Sequence, residues 1–216
     1  RDRYGTNPQI LHMGLPGYGV ARKDLSTGEI LLPLTEEPDS GTPGSNEILP
    51  SSQVYSLAVN PDTGNLYIGT GNGALTWNGN TATDLSRGGS WNLQPSQHFG
   101  FVFDGSTAYS ATNIGVCEYT QTAIQECVNA QDGMPNWGVY AIGMNSTTIF
   151  GGTTNGVGLI DKSSMNVVDT WEAGEDTDNA LVEVIDNIAY IGLNGIGVAR
   201  YDICLLYTSP SPRDTG

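Results

Sequence analysis

The sequence predicts an all-β fold, and three observations carry the prediction. Short β-branched and aromatic runs recur evenly from end to end, separated by turn residues such as Gly, Asn, Asp and Pro. No apolar stretch of helical period lasts longer than a turn or two. Charged residues make up only 14% of the chain while glycine reaches 29 residues, a makeup that suits tight turns between strands. At 216 residues the chain is long enough to bury a core, and its even composition argues for one domain.

Internal repetition sharpens the class. Five segments align: LHMGLPGYGVARKD from Leu11, LYIGTGNGALTWN from Leu66, AYSATNIGVCEYT from Ala108, IFGGTTNGVGLID from Ile149 and AYIGLNGIGVARYD from Ala189. A small residue closes the first half of each (Gly14, Gly69, Ala111, Gly152, Gly192), and a glycine opens the second (Gly19, Gly73, Gly115, Gly156, Gly197). The second set is spaced 54, 42, 41 and 41 residues apart, so the period is near 41 with one insertion.

Each segment reads as a β-hairpin whose tight turn holds Gly or Asn where φ must be positive. A strand precedes it at Val54–Asn60, Phe99–Asp104, Val139–Asn145 and Leu181–Asp186. Another follows it at Glu29–Leu34, Ala123–Val128 and Asn166–Trp171. Four strands per unit of this length define the blade of a β-propeller, built of four-stranded antiparallel sheets. About five blades are expected in residues 1–203, as an incomplete ring: the first lacks its innermost strand and the last its outermost. The aromatic column Tyr67, Tyr109, Phe150 and Tyr190 is expected to fill the wedge between blades, with His12 packed in the same column. The segment Thr35–Pro50, acidic and rich in Pro, Gly and Ser, reads as a long surface loop.

The run LPSSQVYSLAVNPDTGNLYIGTGNGALTW (Leu49–Trp77) resembles the repeat of two-component-regulator propellers, and Asp132–Asp161 resembles it again, including the Leu/Met-Pro step five residues before the first strand. That resemblance covers about Ile10–Asp202 and implies the sensor portion of an exported protein. A weaker similarity links Gly19–Ile30 to quinoprotein propellers, through Asp24, Thr27 and Gly28 only.

The pattern stops after Ile203. The string Cys204–Gly216 carries prolines at alternate positions, unsuited to an interior strand, and resembles a translated sequencing-library adapter; it is read as a non-native tail without a strand. Arg1 in place of Met, with no signal-peptide pattern behind it, reads as a start that is not the native one. Setting the tail aside leaves Cys117 and Cys127. A hairpin centred on Thr122 places them opposite one another, so they read either as a disulfide or as two buried thiols.

Eight basic against 23 acidic residues give a net charge of −15, which excludes a phosphate backbone as partner, and no apolar run is long enough for a membrane helix. Phosphate-cradling loop, zinc-protease His pair, nucleophile elbow and Cys-x-x-Cys are all missing from the sequence, and only His12 and His98 are available for acid-base work. No cofactor is expected beyond Ca²⁺. Glu175, Asp176 and Asp178 lie together in EAGEDTDN with oxygen density suited to that ion but without EF-hand spacing, so they read first as a solvated acidic loop.

Loops and hairpin turns crowd one end of a propeller, and there Trp91, Trp137, Asp176 and Asp178 are expected beside Asn72, Asn155 and Asn194. Exposed Trp among amides and carboxylates suits a small molecule, a glycan or a protein. Each Asn also reads simply as a turn residue of positive φ. The sequence thus predicts a non-catalytic binding or sensing region of a larger extracellular, periplasmic or cell-surface protein, packed with other blades or domains of its parent. The alternative is part of a quinoprotein dehydrogenase-like or glycosidase-like propeller enzyme.

Overall fold

The computed structural model describes residues 9–36, 47–85, 94–120, 123–171, 181–193, 197–203 and 207–209. Among the described residues all strands fall in five four-stranded sheets, and the only helical element is a 3-10 turn at Ala130–Asp132. The first sheet holds β1 (Ile10–Leu15), β2 (Gly19–Asp24), β3 (Ile30–Glu36) and β4 (Glu47–Leu49). The second holds β5 (Val54–Val59), β6 (Leu66–Thr70), β7 (Gly73–Trp77) and β8 (Ala82–Asp84). The third holds β9 (His98–Asp104), β10 (Thr107–Thr112), β11 (Gly115–Thr120) and β12 (Ala123–Val128). The fourth holds β13 (Val139–Met144), β14 (Thr148–Thr153), β15 (Gly156–Asp161) and β16 (Asn166–Trp171). The fifth holds β17 (Leu181–Ile185), β18 (Ile188–Leu193), β19 (Gly197–Asp202) and β20 (Tyr207–Ser209).

The repeat glycines explain the hairpins. Gly19, Gly73, Gly115, Gly156 and Gly197 all take positive φ, between 87° and 132°, at the first residue of the second hairpin strand. A side chain there would be strained, so the column is glycine for a backbone reason. In the three middle sheets a buried Thr closes the turn. Thr70, Thr112 and Thr153 donate to the carbonyls of Gly73, Gly115 and Gly156 at 2.8–2.9 Å, and each hydroxyl accepts the N–H two residues on. In the first and fifth sheets Leu15 and Leu193 pair with Gly19 and Gly197 across turns one residue longer.

Four expectations are corrected. The segment Thr35–Pro50 is not loop throughout: Thr35 and Glu36 end β3, and Glu47–Leu49 returns as β4, parallel to it, with Leu49 fully buried. The first sheet therefore has four strands although no described strand pairs the other edge of β1. The string after Ile203 does contain a strand, because Tyr207–Ser209 precede both prolines and have free N–H groups to pair with β19. Asn72 and Asn155 do not have positive φ; the glycine that follows each of them takes that conformation instead. In the aromatic column Tyr67, Tyr109 and Phe150 are buried, whereas Tyr190 lies exposed on a face of the fifth sheet that no described sheet covers.

The chain divides into two compact units, residues 1–109 with 118–125, and residues 110–117 with 126–216. In the first unit Val20, Leu34 and Leu49 pack against Val54, Leu66, Ile68, Leu75 and Trp77 of the second sheet, with the Arg22 guanidinium 5.9 Å above the Trp77 ring. His12, across from Arg22 in β1, is half-buried; burial and the Arg22 charge lower its pKa. Tyr67 packs edge-on against Phe103 with ring centroids 4.8 Å apart, and the buried Asn60 amide donates to Gly105 O at 2.9 Å. In the second unit Phe150, Val157 and Leu159 pack against Val182, Ala189, Ile191 and Tyr201. Cys117 and Cys127 form a disulfide between β11 and β12, their Cα atoms 4.0 Å apart.

His98 is the one fully buried titratable base among the described residues. Its Nε2 lies 2.7 Å from the Tyr119 hydroxyl, and burial pushes its pKa down to about 3. Because the folded-state value lies below the unfolded one, the neutral ring's stability is fully present above pH 6.5 and is lost as pH falls toward 3. At pH 5 the loss attributable to His98 is about 2 kcal/mol. Urea unfolding at pH 7 and pH 5 should show His98→Gln losing less stability on acidification than the wild type; parallel losses would refute this.

Candidate functional site

Two exposed aromatic clusters, one in each unit, are built by the same device. The pairing of β5 with β6 passes from Val54↔Thr70 to Ser56↔Gly69, leaving Tyr55 with no opposite residue. The pairing of β13 with β14 passes from Val139↔Thr153 to Ala141↔Gly152, leaving Tyr140 likewise. Each tyrosine therefore sits on a β-bulge at the start of the first strand of its sheet, and each is exposed. A bulge bends the strand and redirects the extra side chain, which is why bulges gather near binding sites.

In the first unit the Tyr55 hydroxyl donates to Gln53 Oε1 at 3.2 Å, and its ring lies 5.4 Å from that of Phe99. The Gly71 N–H, in the adjacent hairpin turn, donates to the Gln53 carbonyl at 2.9 Å. Asn72 follows in that turn with its side chain exposed. In the second unit the Tyr140 ring folds over Gly138, where a Cβ would stand 2.9 Å from the phenol oxygen. Beside it, exposed Trp137 donates its N–H to Asn136 Oδ1 at 2.6 Å. The Asn136 amide nitrogen donates to Thr154 Oγ1 at 2.7 Å and to Asn155 Oδ1 at 3.4 Å, joining this loop to the β14–β15 turn. The Thr154 hydroxyl also donates to Asn155 Oδ1, at 3.0 Å.

Of the residues expected at the loop end, the structure joins Trp137 and Asn155 through Asn136, and it places Asn72 beside Gly71 in the first unit. Trp91, Asn194, Asp176 and Asp178 lie outside the described residues, as does Glu175 with the Ca²⁺ reading of that loop. Among the described residues no three His, Cys, Asp or Glu side chains gather in metal-binding geometry. Sequence reasoning missed Tyr55, Tyr140, Gln53 and Asn136. The signal was the Val-Tyr pair opening two of the first strands, legible only once the strand register is seen to step past that Tyr.

Chemically these clusters offer flat aromatic faces, amide donors and acceptors, and backbone turns. Such groups recognise hydroxyl-rich or peptide surfaces by stacking and neutral hydrogen bonds.

Five four-stranded sheets of one repeat, each begun by its edge strand and closed through a glycine hairpin, define a β-propeller. Solved structures share the fold. The chain is similar to the computationally designed protein Ika8, at 14% identity and a TM-score of 0.65 over 94% of this chain and 58% of that one. It is also similar to a chain of the Mitotic Checkpoint Complex, at 13% identity and 0.68 over 93% and 61%. A third likeness is to the extracellular domain of BT4673 from B. thetaiotaomicron, at 16% identity and 0.57 over 76% of this chain and 22% of that one. This chain thus spans about three fifths of the first two. No protein-family model and no curated protein matches it.

Proposed function

We propose that this chain is a non-catalytic recognition region of a larger exported or cell-surface protein, of the two-component-regulator propeller type, and that it binds a glycan, peptide or protein surface. The observation that carries the reading is the bulged, exposed Tyr140 beside exposed Trp137, held by the Asn136–Asn155 amide pair. The groups are apolar or neutral, suited to stacking and hydrogen bonding rather than to proton transfer. The extracellular domain of BT4673, a protein assigned to one-component or hybrid two-component systems, supports an exported sensor. The Mitotic Checkpoint Complex chain supports propellers as protein-binding platforms. No helix among the described residues is long and apolar enough to cross a membrane.

Saturation-transfer NMR against neutral oligosaccharides and short peptides tests the reading. Transfer to one class is expected, with Trp137→Ala weakening binding about tenfold, the effect of losing one stacking anchor worth ~1.4 kcal/mol. Undiminished binding by Trp137→Ala would overturn the site, and conversion of any panel member would overturn the non-catalytic reading.

A further inference from the structure

Asn145-Ser146-Thr147 is the only place in the sequence where an Asn is followed two residues on by Ser or Thr, with no Pro between them. That is the pattern N-glycosylating enzymes accept on surface loops of exported proteins. The pattern alone says nothing of access, and the turn that holds it supplies that. Asn145 follows β13, and Ser146 and Thr147 stand exposed at the tip of the turn into β14. The Asn145 carboxamide oxygen faces into the turn, accepting the Thr147 N–H at 3.0 Å, the Thr148 N–H at 2.8 Å and the Thr147 hydroxyl at 3.4 Å. The Thr147 carbonyl in turn accepts the Lys162 N–H at 2.9 Å, which fixes the tip. The Asn145 amide nitrogen makes no hydrogen bond among the described residues and is not enclosed.

The second sheet gives a comparison, because Asn60 holds the same place after β5. Its oxygen closes the turn in the same way, on the Asp62 and Thr63 N–H groups at 2.8 and 3.0 Å. Asn60 is fully buried, however, its amide nitrogen is engaged by Gly105 O at 2.9 Å, and Pro61 follows it. The turn itself therefore requires only the oxygen and two backbone N–H groups. Asn145 meets that requirement and still has its amide nitrogen and the Thr147 hydroxyl to offer an enzyme.

We propose that Asn145 is an N-glycosylation site. The inference rests on the exported reading given above, since the transferases act on the exported side of a membrane. The donor is an oligosaccharide carried on a polyprenyl diphosphate. The bond from its anomeric carbon to the diphosphate oxygen breaks, the electron pair leaving with the lipid diphosphate, as a bond from that carbon to Asn145 Nδ2 forms and Nδ2 loses one proton. Asn145 lies just past one end of β13 and the bulged Tyr140 near the other, about 17 Å apart at a strand rise of ~3.3 Å per residue. The glycan thus stands clear of the Trp137–Tyr140 surface and keeps the opposite end of the sheet in solvent.

The test expresses the full chain behind a secretory leader in a glycosylating eukaryotic cell. Occupancy is read by gel mobility before and after peptide N-glycosidase and by peptide mass, on protein from the secretory compartment and the medium alike. One glycan is expected, mapped to Asn145. Asn145→Gln removes it, Thr147→Ala removes it too, and Thr147→Ser, which retains the hydroxyl, keeps it. Because Thr147→Ala leaves the Asn145 oxygen and both backbone N–H groups in place, its loss of the glycan reports on the acceptor pattern and not on a broken turn. A wild type that stays bare, or a glycan that persists in Thr147→Ala, refutes the site. The supplied leader makes the result independent of where the natural protein resides, so a bare Asn145 counts against the site and not against the exported reading.

Discussion

Gly115→Ala is expected to destabilise the protein by on the order of 3 kcal/mol. Gly115 has φ of 130°, in a region that costs an L-residue about 1–3 kcal/mol. An added Cβ would also overlap the Val128 carbonyl on β12 and stand 3.1 Å from Asn129 Cβ. Backbone cannot rotate aside as a side chain does, so the β11–β12 pairing must shift and the disulfide across it must follow. Gly105→Ala is the control. Its φ of 59° carries backbone strain, yet nothing lies within 4 Å of the new methyl, so a loss of only about 1 kcal/mol is expected. Urea midpoints for the two variants check the difference; equal losses would mean that the contact with β12 contributes nothing.

Opening the Cys117–Cys127 bridge should cost ~2–3 kcal/mol, the loop-closure entropy for a separation of 10 residues. Both sulfurs belong to buried residues, so reductant should act slowly on the folded protein and fully only in denaturant. Urea unfolding with and without reductant gives the loss, with Cys117→Ala/Cys127→Ala as the matching variant. Three free thiols by titration of the unreduced protein, in place of the one that Cys204 supplies, or coincident unfolding curves, would contradict the bridge.

What the sequence made legible was set by backbone requirements that recur. Gly19, Gly73, Gly115, Gly156 and Gly197 were readable because one strained φ repeats five times and only glycine meets it cheaply. The cysteine pair was readable because a tight hairpin fixes which residues face each other. The strand Glu47–Leu49 was not, because a three-residue parallel pairing in an acidic segment depends on where β3 lies and not on its own pattern. Tyr207–Ser209 was hidden by the prolines just after it, which bar a strand only from their own positions. The threonines at 70, 112 and 153 carry a Thr-x-x-Gly spacing open to inspection, but their meaning lies in a hydroxyl that closes the turn. The proposed recognition surface was half legible. Trp137 and Asn155 stood out by type, whereas Tyr55 and Tyr140 gain their orientation from a register shift that no local composition encodes.

As proposed, the ligand seats on the bulged aromatic surface of Trp137 and Tyr140. An amide chemical-shift map, recorded while titrating the oligosaccharide or peptide found by saturation transfer, tests it most directly. Perturbations are expected to concentrate at residues 136–141 and 153–156, where the Asn136–Asn155 link joins loop to turn. Perturbations confined to other sheets, with residues 136–141 unmoved at saturation, would contradict it.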